Sequence, residues 1–201
     1  MMKQRVQKFR SLLGSALAVL LLVVWYATGP AVVTPGVAEA GSGANSPTVA
    51  PILGLYPAAQ TVYLGIPFTV DVVIDNADRL GGFEFTLDYD PAVLQANTAV
   101  LGPFLGSTGR AAAPVGPTIN PTSGRLSFGG FSFGPTAGPS GTGTLATITF
   151  TPVSVTSNSP VTFLQGQTTD DQGSAQNPLL LSGTVTVGEA PYSVRLPAMM
   201  R

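Results

Sequence analysis

The sequence has no cysteine and no histidine, and only 9 % of its 201 residues carry charge, against the usual quarter. Without cysteine there is no disulfide framework, no thiolate nucleophile and no zinc–sulfur site. Without histidine the commonest general base and the commonest transition-metal ligand are both missing. No lysine follows Lys8, so Schiff-base and Ser–Lys chemistry are excluded from everything beyond the first ten residues. The formal net charge is −1, which offers no basic footprint for nucleic acid. The one tryptophan is Trp25, inside an apolar run, and no glycine-rich phosphate loop precedes a helix.

What is present begins with an N-terminal address. Lys3, Arg5, Lys8 and Arg10 precede a run from Leu12 to Ala27 that is apolar or small throughout. This is the charge and hydropathy order of a secretory signal, short for a bilayer span. Ala38-Glu39-Ala40 offers a small-x-small cleavage site. An uncleaved N-terminal anchor is the alternative, and the only membrane contact expected. Both export the rest of the chain, because the positive charges stay inside. Beyond residue 40 the chain keeps five basic and nine acidic residues. Residues 41–52 are rich in Gly, Ala, Pro, Ser, Thr and Val and read as a flexible linker.

From Leu53 onward the hydropathy period is two. Phe68, Val70, Val72 and Ile74 alternate with Thr69, Asp71, Val73 and Asp75; Phe83, Phe85, Leu87 and Tyr89 alternate with Glu84, Thr86, Asp88 and Asp90. Such alternation places one face in a core and the other in water. Further strands are expected at Gln60–Leu64, with Val62 and Leu64 inward, and at Arg125–Phe133, Thr144–Val153, Val161–Leu164 and Leu181–Val187. The Gly129-Gly130 pair inside a strand signals a bulge or a close backbone approach. Pro91–Ala96 after Asp90 has the form of a single helical turn. Residues 102–144 hold 11 glycines and 6 prolines and predict long, poorly ordered loops around the Arg125–Phe133 strand. Short strands with Gly/Pro turns and no helices make a β-sandwich.

The acids are unevenly spread. Six of the ten, Asp71, Asp75, Asp78, Glu84, Asp88 and Asp90, fall within 20 residues. If the two strands share a sheet, their outer faces form one carboxylate-bearing surface. That surface reads as a solvated face that blunts edge pairing or as a partner-binding face; paired carboxylates for glycoside cleavage are the third reading. Asp170-Asp171-Gln172-Gly173 looks like a fragment of a calcium loop but lacks the repeating acid spacing; an Asp/Gly turn is the plainer reading. Tyr56 and Tyr63 are the aromatic residues available for stacking on a glycan.

The run Gly81-Gly82-Phe83-Glu84-Phe85-Thr86-Leu87-Asp88-Tyr89-Asp90-Pro91-Ala92-Val93-Leu94 resembles the signature of cohesin domains, an alternating strand that ends in Tyr-Asp-Pro-x-x-Leu. Thr61–Asp75, Gly143–Phe150, Thr169–Gly173 and Ser182–Val187 resemble further family elements in the same order. Together the matches cover residues 53–188. The resemblance implies a nine-stranded jelly-roll β-sandwich and a non-catalytic module that docks a dockerin through one flat sheet face. In type I members an Asn and an Asp on the signature strand are key contacts; the matching positions here are Gly82 and Glu84. Glu84 keeps the charge and Gly82 loses the amide.

The expectation is therefore a signal or anchor at 1–40, a linker at 41–52, a cohesin-like all-β sandwich at 53–188 and a tail at 189–201. The protein is expected to be exported from a bacterial cell, secreted or held at the surface. It binds a dockerin-like partner through Asp71, Gly82, Glu84, Thr86 and Asp88. No cofactor is required, with Asp170 and Asp171 as weak calcium candidates. A polysaccharide-binding module of related fold and a purely structural surface domain are the alternatives.

Overall fold

The structure, a computed structural model, describes residues 49–190. The signal or anchor at 1–40, most of the linker and the tail from Pro191 lie outside the described residues.

Twelve strands follow in chain order: β1 (Ile52–Tyr56), β2 (Ala59–Tyr63), β3 (Phe68–Ala77), β4 (Leu80–Tyr89), β5 (Leu94–Leu101), β6 (Ala111–Asn120), β7 (Arg125–Phe133), β8 (Gly141–Pro152), β9 (Thr156–Asp170), β10 (Ala175–Gln176), β11 (Leu179–Leu181) and β12 (Gly183–Gly188). The only helical element among the described residues is a 3₁₀ turn, Phe104–Gly106. A five-stranded sheet runs β11-β1-β3-β8-β5; a seven-stranded sheet runs β2-β12-β9-β4-β7-β6, with β10 paired to β9. All ladders are antiparallel except β1 with β11 and β2 with β12.

The core lies between the sheets, as the period-two pattern requires. Val70, Val72 and Ile74 of β3 and Phe83, Phe85 and Leu87 of β4 belong to one core cluster, and all six are buried. Phe85 packs its ring against Phe83, Phe128 and Phe163 with centroids 5.9–6.2 Å apart. Tyr89 meets Phe150 edge-on at 5.3 Å. Burial of each such side chain stabilises the fold by about 1.5–3 kcal/mol.

Several expectations change. β3 and β4 lie in different sheets, so their acidic faces point to opposite sides of the sandwich. Proline and glycine in 102–144 do not give loose loops, because that stretch contains β6 and β7, which pair over most of their length. Pro91–Ala96 makes a turn that leads into β5, with the Val93 and Leu94 amides bonded to the Asp90 carbonyl. Leu64 is 39 % exposed rather than inward, because β2 ends at Tyr63. The Gly129-Gly130 pair is a close approach and not a bulge, since β4 and β7 pair there without a register shift. A β-carbon on Gly129 would lie 2.7 Å from the Phe83 carbonyl oxygen.

Candidate functional site

β4 sits in the interior of the seven-stranded sheet, between β9 and β7, and its outward positions form the centre of a broad face. Across from Glu84 stand Gly129 of β7 and Gln167 of β9; across from Thr86 stand Ser127 and Gln165; across from Asp88 stand Arg125 and Thr162. β6 extends the face, placing Ala113 beside Phe131 and Val115 beside Gly129.

The three outward side chains of β4 have different fates. Thr86 is only 9 % exposed; its hydroxyl shares a 2.9 Å hydrogen bond with Ser127 Oγ and accepts one from Gln165 Nε2 at 3.3 Å. The expected outward strip is therefore interrupted, because flanking side chains close over Thr86. Asp88 pairs with Arg125 at 3.5 Å, both side chains about half exposed, a contact of small energetic weight. Glu84 is exposed, and among the described residues it has neither a salt bridge nor a hydrogen-bonded side-chain partner.

Around Glu84 the surface is hollowed. Gly82, two positions back on the same side, has no side chain; a β-carbon there would sit 3.1 Å from Thr169 Oγ1 and 3.7 Å from Phe131 Cβ. Gly129, opposite Glu84, lies tight against the β4 backbone and puts no side chain beside the carboxylate. Three shallow hollows meet at Glu84. One of about 260 Å³ lies over Gly82, with Val115 and Phe131 as its apolar walls. Another of about 260 Å³ is lined by Gln165, Gln167 and Asn177, and a third of about 110 Å³ lies over Gly129 and Thr118. Val115 and Phe131 are 57 % and 47 % exposed, and the Phe131 ring adjoins that of Phe133 at 6.2 Å. Apolar exposure of this kind beside polar groups is the usual composition of a protein-contact surface.

Asp71 lies apart from this face. It sits on β3 in the five-stranded sheet, where its carboxylate accepts a 2.6 Å hydrogen bond from Thr147 Oγ1. Asp75, on the same strand, accepts from Thr142 Oγ1 and from the Asn76 amide. The tyrosines are both exposed, but Tyr56 belongs to the five-stranded sheet and Tyr63 to the seven-stranded one, so they do not form one stacking platform.

Asp170 and Asp171 are engaged by the protein itself. Asp170 Oδ1 accepts from the Gln172 and Ser174 amides at 2.9 and 2.8 Å, which closes an Asp/Gly turn. The Ser174 amide is the main reason its pKa lies below the ordinary carboxylate value. Asp171 accepts from the Gly138 amide at 2.7 Å and from Arg79 at 3.0 and 3.1 Å; these bonds, the Gly138 amide foremost, depress its pKa too. Close by, the buried Arg110 donates to Ser132 Oγ and to the carbonyls of Ser132, Gly134 and Thr136. That network fixes the end of β7 on which Phe131 and Phe133 stand.

The sequence reading missed Val115, Phe131, Gln165 and Gln167 as members of the face. For the glutamines the signal was present: Gln165, Gln167 and Thr169 recur at every second position. For Val115 the flanking Pro114, Gly116 and Pro117 hid the strand.

Comparison with known proteins gives a consistent fold. The family model described as the Cohesin domain matches residues 57–187. None of the curated proteins compared with the chain matches it. Among solved structures, a non-cellulosomal cohesin from the archaeon Archaeoglobus fulgidus superposes with a TM-score of 0.56 at 18 % identity, covering 70 % of this chain and 93 % of that one. The type I cohesin–dockerin complex of OlpA with Doc918 from Clostridium thermocellum gives 0.58 at 14 %, covering 70 % and 100 %. A cohesin module from a Clostridium perfringens family 33 glycoside hydrolase gives 0.57 at 14 %, covering 71 % and 100 %.

Proposed function

The chain belongs to the cohesin domain family, and from that premise we propose that it is an exported, non-catalytic binding module whose partner, a dockerin-like protein, docks on the outer face of the seven-stranded sheet. The observation that carries this reading is the face around Glu84. It is broad, centred on an interior strand, hollowed over Gly82, and walled by exposed Val115 and Phe131. Those are the ingredients of an interface core with a polar surround. The complexes of related cohesins with dockerins support the class of partner. Residues 1–40 carry the chain out of the cell, to be released or held at the surface.

The test is binding of the full chain to a panel of dockerin modules by calorimetry, with Val115→Arg and Thr118→Arg as face-blocking variants. Retention of at least one dockerin, lost in both variants while thermal stability is kept, is the expected result. Binding that survives both blocks places the partner elsewhere and overturns the reading.

A further inference from the structure

At the end of the sandwich where β3 begins, Tyr63, Leu64, Ile66, Val153 and Val155 are all exposed. They stand on or beside two short loops, 64–67 between β2 and β3 and 153–155 between β8 and β9. Neither loop carries a charge. The two are tied together, because the Gly65 amide donates to the Pro152 carbonyl at 2.9 Å. Apolar groups gathered at one place on a surface mark a contact site.

The chain leaves the sandwich at the same place. Gly188, the last residue of β12, stands beside Tyr63 in the parallel ladder with β2, and its carbonyl accepts from the Leu64 amide at 2.9 Å. On the other side of β12, Val187 stands across from Thr156 of β9, so Val155 flanks the exit. Past Gly188 the chain therefore emerges between the two apolar loops. The sequence that follows has the matching pattern: after Pro191, Tyr192, Val194 and Leu196 alternate with Ser193 and Arg195 as far as Pro197. Alternation of this kind in an extended segment sets three apolar side chains on one side.

Reach is sufficient. From Gly188 to Leu196 an extended chain spans about 26 Å. β4 lies two strands from β12, about 10 Å. Within that span Val153 walls a hollow of about 210 Å³ together with Tyr89, Pro91, Leu94 and Pro121, a place for an apolar side chain. A segment tethered a few residues away is present at an effective concentration in the millimolar range, which favours it over a second copy of the chain.

We propose that the C-terminal segment docks on its own sandwich, with Tyr192, Val194 and Leu196 covering the apolar end formed by the loops 64–67 and 153–155. The segment is an intramolecular cap, and this role is independent of where another protein binds. Its release would uncover the apolar end.

The bond after Arg195 is a trypsin site inside the proposed contact, so cleavage there reads docking directly. The full chain is digested with trypsin, and release of the peptide that begins at Leu196 is followed by mass spectrometry, with a free peptide of residues 189–201 as the reference. When docking is fast relative to cleavage, the rate follows the undocked fraction. Cutting at least about 10-fold slower than in the free peptide is expected, the mark of a segment docked about nine-tenths of the time. The double substitution Ile66→Asp with Val155→Asp should bring the rate back to that of the peptide, with cutting after Arg125 still slow as the sign of an intact fold. If that variant unfolds, Tyr192→Asp, with a peptide carrying the same change as its reference, probes the contact from the other side and should also restore fast cutting. Cutting of the unchanged chain at the peptide's rate overturns the proposal, and so does slow cutting that survives the substitutions. Protection that deepens with protein concentration assigns the apolar end to a second copy and overturns it as well.

Discussion

Arg79 and Asp171 lie 92 residues apart in sequence and form a two-pronged ion pair, with Arg79 Nη2 3.0 and 3.1 Å from the two carboxylate oxygens. Arg79 sits in the left-handed region with φ of 50°, in the turn that carries the chain from one sheet to the other. Its carbonyl accepts from the Asp171 amide at 2.8 Å, and its amide donates to Ser140 Oγ at 2.9 Å. The Asp171 side chain is only 4 % exposed. One carboxylate thus ties together the entry to β4, the exit from β9 and the approach to β8.

Acid should expose this tie. The folded-state pKa of Asp171 is depressed, by the Gly138 amide first and Arg79 second. Its contribution is therefore complete above the ordinary carboxylate value of about 4 and is lost as pH falls through the lower, folded value. Thermal melts of the wild type and Asp171→Asn should differ most near neutral pH and converge in strong acid. A difference that is constant with pH would exclude the ionised pair as its source.

Ser159 gives a prediction of opposite sign. It is 1 % exposed and faces the core from β9, and among the described residues its hydroxyl has no hydrogen-bond partner. An unpaired buried hydroxyl costs about 1–3 kcal/mol. Ser159→Ala should therefore stabilise the protein by about 1 kcal/mol, a rise of roughly 2–4 °C in Tm for a chain of this size. Calorimetry decides it, and a lowered Tm would show that the hydroxyl is satisfied in solution.

Phe85 is fully buried at the meeting point of three other rings. Phe85→Ala should cost about 3–5 kcal/mol, a large share of the 5–15 kcal/mol typical of a whole domain. Urea titration should show the midpoint falling sharply or the transition disappearing.

Gly124 has φ of 65°, and a β-carbon there would run into the Tyr89 carbonyl. Its own carbonyl accepts from the Tyr89 amide at 2.9 Å, so it fixes the end of β4 against the β6–β7 turn. Gly124→Ala should destabilise by more than the roughly 1 kcal/mol of the left-handed conformation alone. Denaturant melts measure the loss; a neutral substitution would mean that the turn relaxes freely.

Alternation made β3 and β4 legible, because their inward positions are large and apolar, whereas β7, with the small Gly130 and Ser132 inward, showed through its aromatic composition. It did not say which sheet each strand joins. That depends on the crossing at Arg79, whose left-handed backbone and bond to Ser140 are invisible to a hydropathy pattern. Most of β9 escaped notice for a different reason. Its inward positions past Phe163 are Gly166 and Thr168, small or polar. Gly166 is small because Leu180 and Leu53 fill the space, coming within 2.7 and 3.1 Å of where its β-carbon would lie. The site was half legible: Gly82, Glu84 and Asp88 are on the face, Thr86 is covered over, and Asp71 is on the other sheet. Outward phase is local, whereas shielding and sheet membership come from strands distant in sequence.

One edge of the seven-stranded sheet is β6, where Pro114 precedes and Pro117 lies within the register shift between Val115 and Thr118. Each proline removes an amide donor from the rim, and the irregularity bends what remains. A strand arriving from another molecule finds no continuous ladder there to extend. At that edge the sheet thus resists growing sideways into fibrils, and the module stays available for contact through its broad side.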